Sequence, residues 1–191
     1  MAKNSTSDSR SSASANDQDA FSLLTADHKL VKSLFKQFES LKDDGDDDQK
    51  ASLVETICGE LKVHAQVEEE IFYPAVRQAI DADDLMDEAD VEHASAKQLI
   101  AQLEQLPPDG DHYDAMVTVL GEYIDHHVKE EEGEMFTKAR KADVDAAALG
   151  EEIAARKAEL KMELGIGEED EQPPRAPATR KSPKRQSNAR K

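Results

Sequence analysis

Two segments of the chain carry a histidine followed four residues later by a glutamate. His64 and Glu68 form the first pair, and His127 and Glu131 form the second. Residues four apart lie one above the other on an α-helix face, so the imidazole nitrogen and the carboxylate oxygen of each pair can reach one metal ion. One such pair is common on a solvated helix. Its repetition at matching spacing is what indicates a metal site.

The repeat extends to two further histidines. Segments 28–41 and 93–106 align without gaps, each begins with a histidine, and an acidic residue precedes each histidine. The lone histidine comes 36 residues before the His/Glu pair in the first half (28 to 64) and 34 residues before it in the second half (93 to 127). Each half of the chain therefore carries the set His, His and Glu.

Apolar residues recur at three- and four-residue spacing over five segments, which predicts five helices. The first begins near residue 19, and the others cover residues 49–80, 84–106, 111–142 and 144–164. Pro74 is expected to kink or interrupt the second helix, and Gly165 is a plausible C-cap for the last. The repeated histidines and glutamates all fall on the apolar stripes of these helices.

Sequential helices joined by short loops pack as antiparallel neighbours. We therefore predict an all-α fold in which two helical hairpins form an antiparallel four-helix bundle over residues 19–142, with an additional C-terminal helix over 143–165. Residues 1–18 have almost nothing to bury, and residues 166–191 pass from an acidic patch to a basic, proline-containing run. Both tails are predicted to be disordered.

Six potential ligands would face the interior of this bundle: His28, His64, Glu68, His93, His127 and Glu131. Four imidazoles and two carboxylates buried without partners would be very costly. Six ligands are too many for one tetrahedral ion and too few to saturate two octahedral ions. We predict two metal ions bridged by the two glutamates, with the histidines as terminal ligands and with positions left for solvent or a small molecule.

The pattern resembles the hemerythrin-like, HHE cation-binding family over about residues 20 to 140. The motifs that carry the resemblance are Asp27-His28, the His64/Glu68 pair with Phe72-Tyr73-Pro74, Glu92-His93, and the His127/Glu131 pair. The resemblance implies a non-haem di-iron centre with an oxo or hydroxo bridge. It also implies binding of O₂ or NO, or a role in iron handling or in redox-stress sensing. The alternative is a di-iron enzyme that acts on peroxide or O₂, and zinc or manganese would fit the same ligands.

Two positions depart from the oxygen-carrying members of that family. Those proteins place a second histidine four residues before the position of His93, where this chain has Ala89, so we expect one ion to have a more open coordination sphere. They also use a histidine five residues before the last carboxylate, which would select His126. The internal repeat and the helix phase select His127, and we predict His127 as the ligand with His126 outside it.

Several neighbours of these ligands also receive predictions. Tyr123 is expected either to hydrogen-bond near the centre or to be an ordinary core residue, and Glu60 either to orient an imidazole or to lie in water. Cys58 is expected to be a small core residue. Four glutamates beside the ligands are predicted to be solvated charges: Glu69, Glu70, Glu130 and Glu132.

The charge distribution bears on partners and location. The net charge is −18, and because seven of the 24 basic residues follow position 172, the rest of the chain has 17 basic against 42 acidic residues. Such an acidic body repels nucleic acid and anionic membranes, so neither partner is expected despite the basic tail. The single cysteine, the absence of a secretory signal and the lack of a long apolar run lead us to expect a cytoplasmic protein.

Overall fold

A computed structural model describes residues 19–42 and 46–166 of the chain. The predicted N-terminal tail, residues 43–45 and residues 167–191 of the predicted basic tail lie outside the described part. Within the two described ranges, no helix is apolar over a length that would cross a membrane.

The described residues form seven α-helices and two π-helical turns, which together make up five helical rods. The α-helices are α1 Ala20–Leu41, α2 Asp47–Val67, α3 Tyr73–Ala79, α4 Asp83–Leu103, α5 Tyr113–Glu130, α6 Phe136–Lys141 and α7 Ala146–Leu164. The π-helical turns Glu68–Phe72 and Glu131–Met135 join α2 to α3 and α5 to α6. The predicted all-α bundle with an additional C-terminal helix is confirmed. The third rod ends three residues earlier than predicted, and the fourth begins later because His112 adopts a left-handed conformation (φ 72°).

Aspartates at three helix starts explain where the rods begin. The side chains of Asp19, Asp46 and Asp145 each accept a hydrogen bond from the backbone N–H three residues further on, at 2.8, 2.9 and 3.1 Å. These bonds satisfy backbone donors that have no partner inside the helix. At the other end of α7, Gly165 adopts φ 70° and closes the helix, as predicted, because glycine has no Cβ to oppose a left-handed conformation.

The irregularity predicted at Pro74 takes a different form. The helix continues through this residue and contains a π-helical turn just before it, in which the Tyr73 N–H donates to the Glu68 carbonyl. The second half has the same turn, with the Phe136 N–H donating to the Glu131 carbonyl, although Thr137 stands where the first half has proline. Proline is therefore not required for the turn, which in both halves begins at the candidate glutamate ligand.

The bundle interior consists of two apolar clusters separated by a polar layer. One cluster includes Phe21, Phe72, Met86, Phe136, Ile153 and Leu160. The other includes Val31, Phe38, Leu61, Ile100 and Leu120. In each of the four bundle rods, the candidate ligands lie between residues of the two clusters. The clusters thus close the polar layer from both ends of the bundle.

The last helix packs against α1 and α2 and is held there by both apolar and charged contacts. Ile153 is fully buried. Ile166, just after the helix, covers Gly59 so closely that a Cβ at position 59 would lie 2.9 Å from its Cδ1 atom. Lys161 Nζ lies 3.1 Å from the buried Glu60 carboxylate. Helix α7 is therefore an integral part of the described fold.

Candidate metal centre

The bundle brings all six predicted ligand residues into one buried layer. The four histidine residues are 5 to 6% exposed, and the two glutamates are 0 and 1% exposed. One histidine comes from each of the four bundle helices, as follows: His28 from α1, His64 from α2, His93 from α4 and His127 from α5. Glu68 and Glu131 are the first residues of the two π-helical turns.

One group of atoms gathers around the first pair of histidines. His28 Nε2 lies 3.1 Å from His64 Nε2. A Glu68 oxygen lies 3.2 Å from His64 Nε2, and a Glu131 oxygen lies 3.2 Å from His28 Nε2. These four residues, which we call the first cluster, each offer one ligand atom within reach of a single ion.

A second group repeats this geometry around the other pair of histidines. His93 Nε2 and His127 Nε2 are 3.1 Å apart, and the second Glu68 oxygen lies 3.4 Å from His93 Nε2. Glu68, His93 and His127 form what we call the second cluster. Because Glu68 directs one oxygen to each cluster, its carboxylate has the placement of a bridge.

The chemistry of these atoms fits a metal centre. Within the described part of the chain, none of the four carboxylate oxygens of Glu68 and Glu131 has a hydrogen-bond partner. Buried carboxylates without partners are strongly unfavourable unless a cation compensates them. Two nitrogens bound to one ion at ~2.1 Å and at right angles lie ~3.0 Å apart. The 3.1 Å separation found in both histidine pairs matches that value.

Carboxylates on the outer side of three histidines set the ring orientation. His28 Nδ1 donates to Glu132 at 2.8 Å, His93 Nδ1 to Glu69 at 3.0 Å, and His127 Nδ1 to Glu92 at 2.8 Å. A proton held at Nδ1 leaves the Nε2 lone pair free to bind a metal, and such partners also raise the basicity of the ligand. The Nε2 atoms that face the clusters are therefore prepared as metal donors.

These contacts correct the prediction that Glu69 and Glu132 are solvated charges. Both follow a candidate bridging glutamate directly, and each reaches a histidine in the opposite half of the repeat. Glu70 does lie at the surface, where it pairs with Arg156, and Glu130 lies near the exposed His126. A sequence signal for Glu69 and Glu132 was present, because they occupy equivalent positions in the two halves.

Sequence reasoning did not assign a role to Tyr73, which the structure places at the second cluster. Its hydroxyl lies 3.0 Å from His93 Nε2 and 3.3 Å from His127 Nε2. His64 and Tyr73 are nine residues apart, which in a regular α-helix would place them about 180° apart around the axis. The π-helical turn between them accommodates one extra residue, and this removes about 100° of that angle. The π-helical turn thus rotates Tyr73 onto the side of His64.

The same turn in the second half carries a phenylalanine. Phe136 is equivalent to Tyr73 in the repeat, and its ring stacks on His28 with 6.2 Å between centroids and 17° between planes. The first cluster is therefore bordered by an apolar ring where the second cluster meets a hydroxyl. This pair of aromatic residues makes the two clusters chemically different.

Protons occupy parts of this centre when no metal is bound. Burial raises the pKa of Glu68 well above its usual value, and the charge of Glu131 raises it further. Burial would also raise the pKa of Glu131, but the close contact with His28 and the charges of neighbouring histidines lower it to about 2. Burial would lower the pKa of His28, but its contact with Glu131 and the charges of both buried glutamates raise it to about 9. Metal binding must displace these protons.

Several other candidate residues lie away from the centre. Tyr123 is 50% exposed, so neither of its predicted positions is correct. Both alternatives for Glu60 are also wrong, because it is buried and paired with Lys161. The His126 side chain is 61% exposed and lies outside both clusters. Cys58 is buried as expected, and burial raises the pKa of its thiol to about 12.

Two cavities adjoin the centre. A small cavity of about 30 Å³ is bordered by all four candidate histidines and by apolar side chains that include Val31, Leu61, Ile100 and Ile124. An open groove of about 570 Å³ between α1 and α5 extends from the surface to His28. His28, Ile124 and Val128 line both spaces. The small cavity has room for a molecule of a few atoms next to the histidines.

Comparisons with known proteins identify a family match and two similar proteins. Residues 19–139 match the hemerythrin HHE cation binding domain family. The structure resembles the crystal structure of a hemerythrin HHE cation binding domain-containing protein from Mycobacterium kansasii, with a TM-score of 0.64 and 22% identity over 76% of this chain and 88% of that one. A DNA nickase from Nostoc is 26% identical over 145 residues, which are 75% of this chain and 40% of that protein.

Proposed function

The chain belongs to the hemerythrin HHE cation-binding domain family, and from this premise we propose that its two clusters hold two iron ions for the binding of O₂ or NO, in iron handling or in redox-stress sensing. The observation that carries the proposal is the set of four buried, unpartnered carboxylate oxygens facing four imidazole nitrogens. Imidazole and carboxylate together suit iron, and zinc or manganese would fit the same donors.

In this proposal some residues are metal ligands and others orient those ligands. His28 and His64 would hold one ion and His93 and His127 the other, and Glu68, which directs one oxygen to each cluster, would contribute to both. Glu131 lies against His28 and would complete the first cluster. The outer carboxylates Glu69, Glu92 and Glu132 hold three imidazoles in the orientation that binding requires.

The surroundings favour a small, uncharged ligand. The cavity of about 30 Å³ beside the histidines has mainly apolar walls, and burying an ion there without a partner would be unfavourable. When bound, two irons would supply redox-active positions at which such a molecule can bind. The size and the walls of the cavity therefore support O₂ or NO as the exogenous ligand.

The test is the metal content and optical spectrum of purified protein, with three variants. We expect close to two irons per wild-type chain and oxo-bridge absorption. His64→Ala and His127→Ala should lose iron, whereas His126→Ala, the matched control beside His127, should retain it. Metal-free protein that stays folded and takes up no iron, or equal iron loss in His126→Ala and His127→Ala, would contradict the proposed ligand set.

A second candidate function is an enzyme that consumes peroxide, and one observation favours it. The Tyr73 hydroxyl is buried beside the second cluster, and burial raises its pKa well above the usual value. It therefore keeps its proton at neutral pH and is placed to donate it to a bound molecule. Peroxide turnover by iron-loaded protein, lost in His64→Ala, would support this function over simple binding.

The DNA-nicking activity in the name of the Nostoc relative is not part of the proposal. The chain spans 40% of that protein's length, so the matched region need not carry the activity. The acidic excess of this chain also opposes contact with phosphate backbones.

A further inference from the structure

A lysine from the last helix reaches the outer side of the first cluster. Lys157 Nζ on α7 pairs with one oxygen of Asp27. The Asp27 side chain is 5% exposed and that of Lys157 18%, so the contact is largely shielded from water. The other Asp27 oxygen faces His64 Nδ1 at 3.5 Å, which is too long for a well-formed hydrogen bond.

The equivalent carboxylate in the other half has different partners among the described residues. Glu92 occupies the position of Asp27 in the repeat and accepts from His127 Nδ1 at 2.8 Å. Its second oxygen lies near His126, and no lysine or arginine is seen to pair with Glu92 within residues 19–42 and 46–166. Helix α7 begins at Ala146, beyond the segment 19–139 that matches the family. The cation is thus an addition to one half of a repeated site.

The expected effect of this cation follows from electrostatics. A carboxylate that accepts from Nδ1 makes an imidazole a better metal donor, and loss of such a partner costs 10- to 100-fold in metal affinity in typical sites. Lys157 draws the Asp27 charge away from His64. Its own positive charge also opposes a cation nearby, and burial weakens the screening of that repulsion. Both effects weaken the hold of the first cluster on its ion.

We propose that Lys157 is a positioning residue which acts through Asp27 and His64 to weaken the hold of the first cluster on its metal ion. This inference rests on the proposed two-metal site. Its consequence is that the ion held by His28 and His64 exchanges faster than it would without the lysine. The last helix then controls how easily one of the two ions exchanges.

The experiment measures each cluster separately, with Co²⁺ as the probe and a competing chelator to give dissociation constants. His93→Ala leaves the first cluster intact, and His28→Ala leaves the second. In the His93→Ala background, Lys157→Met should tighten Co²⁺ binding by about tenfold. In the His28→Ala background, Lys157→Met should have little effect on Co²⁺ binding. Lys157→Arg keeps the cation and should behave like lysine in both backgrounds.

Lys161→Met is the matched structural control. It removes a second, largely buried ion pair between α7 and α2, the one with Glu60, and should lower the melting temperature without changing the ratio of the two affinities. The inference is overturned if Lys157→Met loosens the first cluster, changes both clusters equally, changes neither, or behaves as Lys161→Met does. Wild-type protein that binds no Co²⁺ or iron would instead refute the metal site itself.

Discussion

His28 donates a hydrogen bond from Nδ1 to Glu132 at 2.8 Å, although the two residues are 104 positions apart in the chain. The contact joins the first bundle helix to the π-helical turn near the end of the last one. It holds the His28 ring so that Nε2 faces the first cluster. The candidate ligand and its orienting carboxylate thus come from opposite halves of the repeat.

Replacing Glu132 should weaken the first cluster. We expect Glu132→Ala to lower its metal affinity by about 10- to 100-fold, because His28 loses the partner that fixes its orientation and raises its basicity. Glu132→Gln should lose less, since the amide oxygen still accepts a hydrogen bond. Metal titration measures the effect. Glu134→Ala is the control, because Glu134 is exposed and pairs with Lys138; equal losses in Glu134→Ala and Glu132→Ala would refute the role of Glu132.

Metal uptake should depend on pH because protons compete for the same atoms. The pKa of His28 in the metal-free fold is raised to about 9 from 6.5. Between pH 6.5 and 9 the His28 imidazole is therefore still protonated, and a metal ion must displace that proton to bind. Metal affinity should therefore rise with pH across this window, by up to about tenfold per unit for each displaced proton. Affinity measured at pH 6.5, 7.5 and 8.5 tests this, and an affinity that is constant or falls would contradict it.

The stability of the metal-free protein should change in the opposite direction. A raised pKa means that the folded state binds the His28 proton more tightly than the unfolded state does. The resulting stabilisation is complete below pH 6.5 and is lost as the pH rises through 9. Urea unfolding of metal-free protein at pH 6.5 and 9 should show this loss, and it should be smaller in His28→Gln. A wild-type loss no larger than that of the variant would be inconsistent with a raised His28 pKa.

Tyr73→Phe tests whether the phenol donates a hydrogen bond at the second cluster. The hydroxyl lies within 3.3 Å of both Nε2 atoms of that cluster, and its raised pKa keeps it protonated. We expect NO to leave the reduced iron protein about tenfold faster in Tyr73→Phe, because the bound molecule loses a hydrogen bond worth about 1.4 kcal/mol. Iron content should stay near two, because Glu68, His93 and His127 remain. Equal dissociation rates for the two proteins would contradict this role, and Tyr123→Phe, at the surface, provides the control.

Ile124→Trp tests the path between the open groove and the small cavity. Ile124 lines both spaces, and a larger side chain there should obstruct passage toward His28. We expect NO to bind the reduced iron protein about tenfold more slowly, equivalent to about 1.4 kcal/mol of added barrier, with the iron content unchanged. Val119→Trp on the same helix is the control, because Val119 lines neither cavity. Equal rates for the two variants would exclude this route.

Much of the fold and of the candidate ligand set could be predicted from the sequence. Helical periodicity places His28, His64, His93 and His127 on the buried faces of four successive helices. The internal repeat pairs the first with the third and the second with the fourth. The short loops then allow few arrangements other than an antiparallel bundle. The choice of His127 over its neighbour His126 as the buried histidine also followed from helix phase, because adjacent residues lie about 100° apart around the axis.

The contacts between helices were decided only by the tertiary structure. Periodicity shows which face of its own helix a residue occupies, but which side chain it meets depends on how the helices rotate and pack against one another. The pairing of Glu132 with His28 and the contact of Lys157 with Asp27 have no signature within either segment. Tyr73 reaches the second cluster because a π-helical turn changes the helix phase, a local change that a 3.6-residue period cannot reveal.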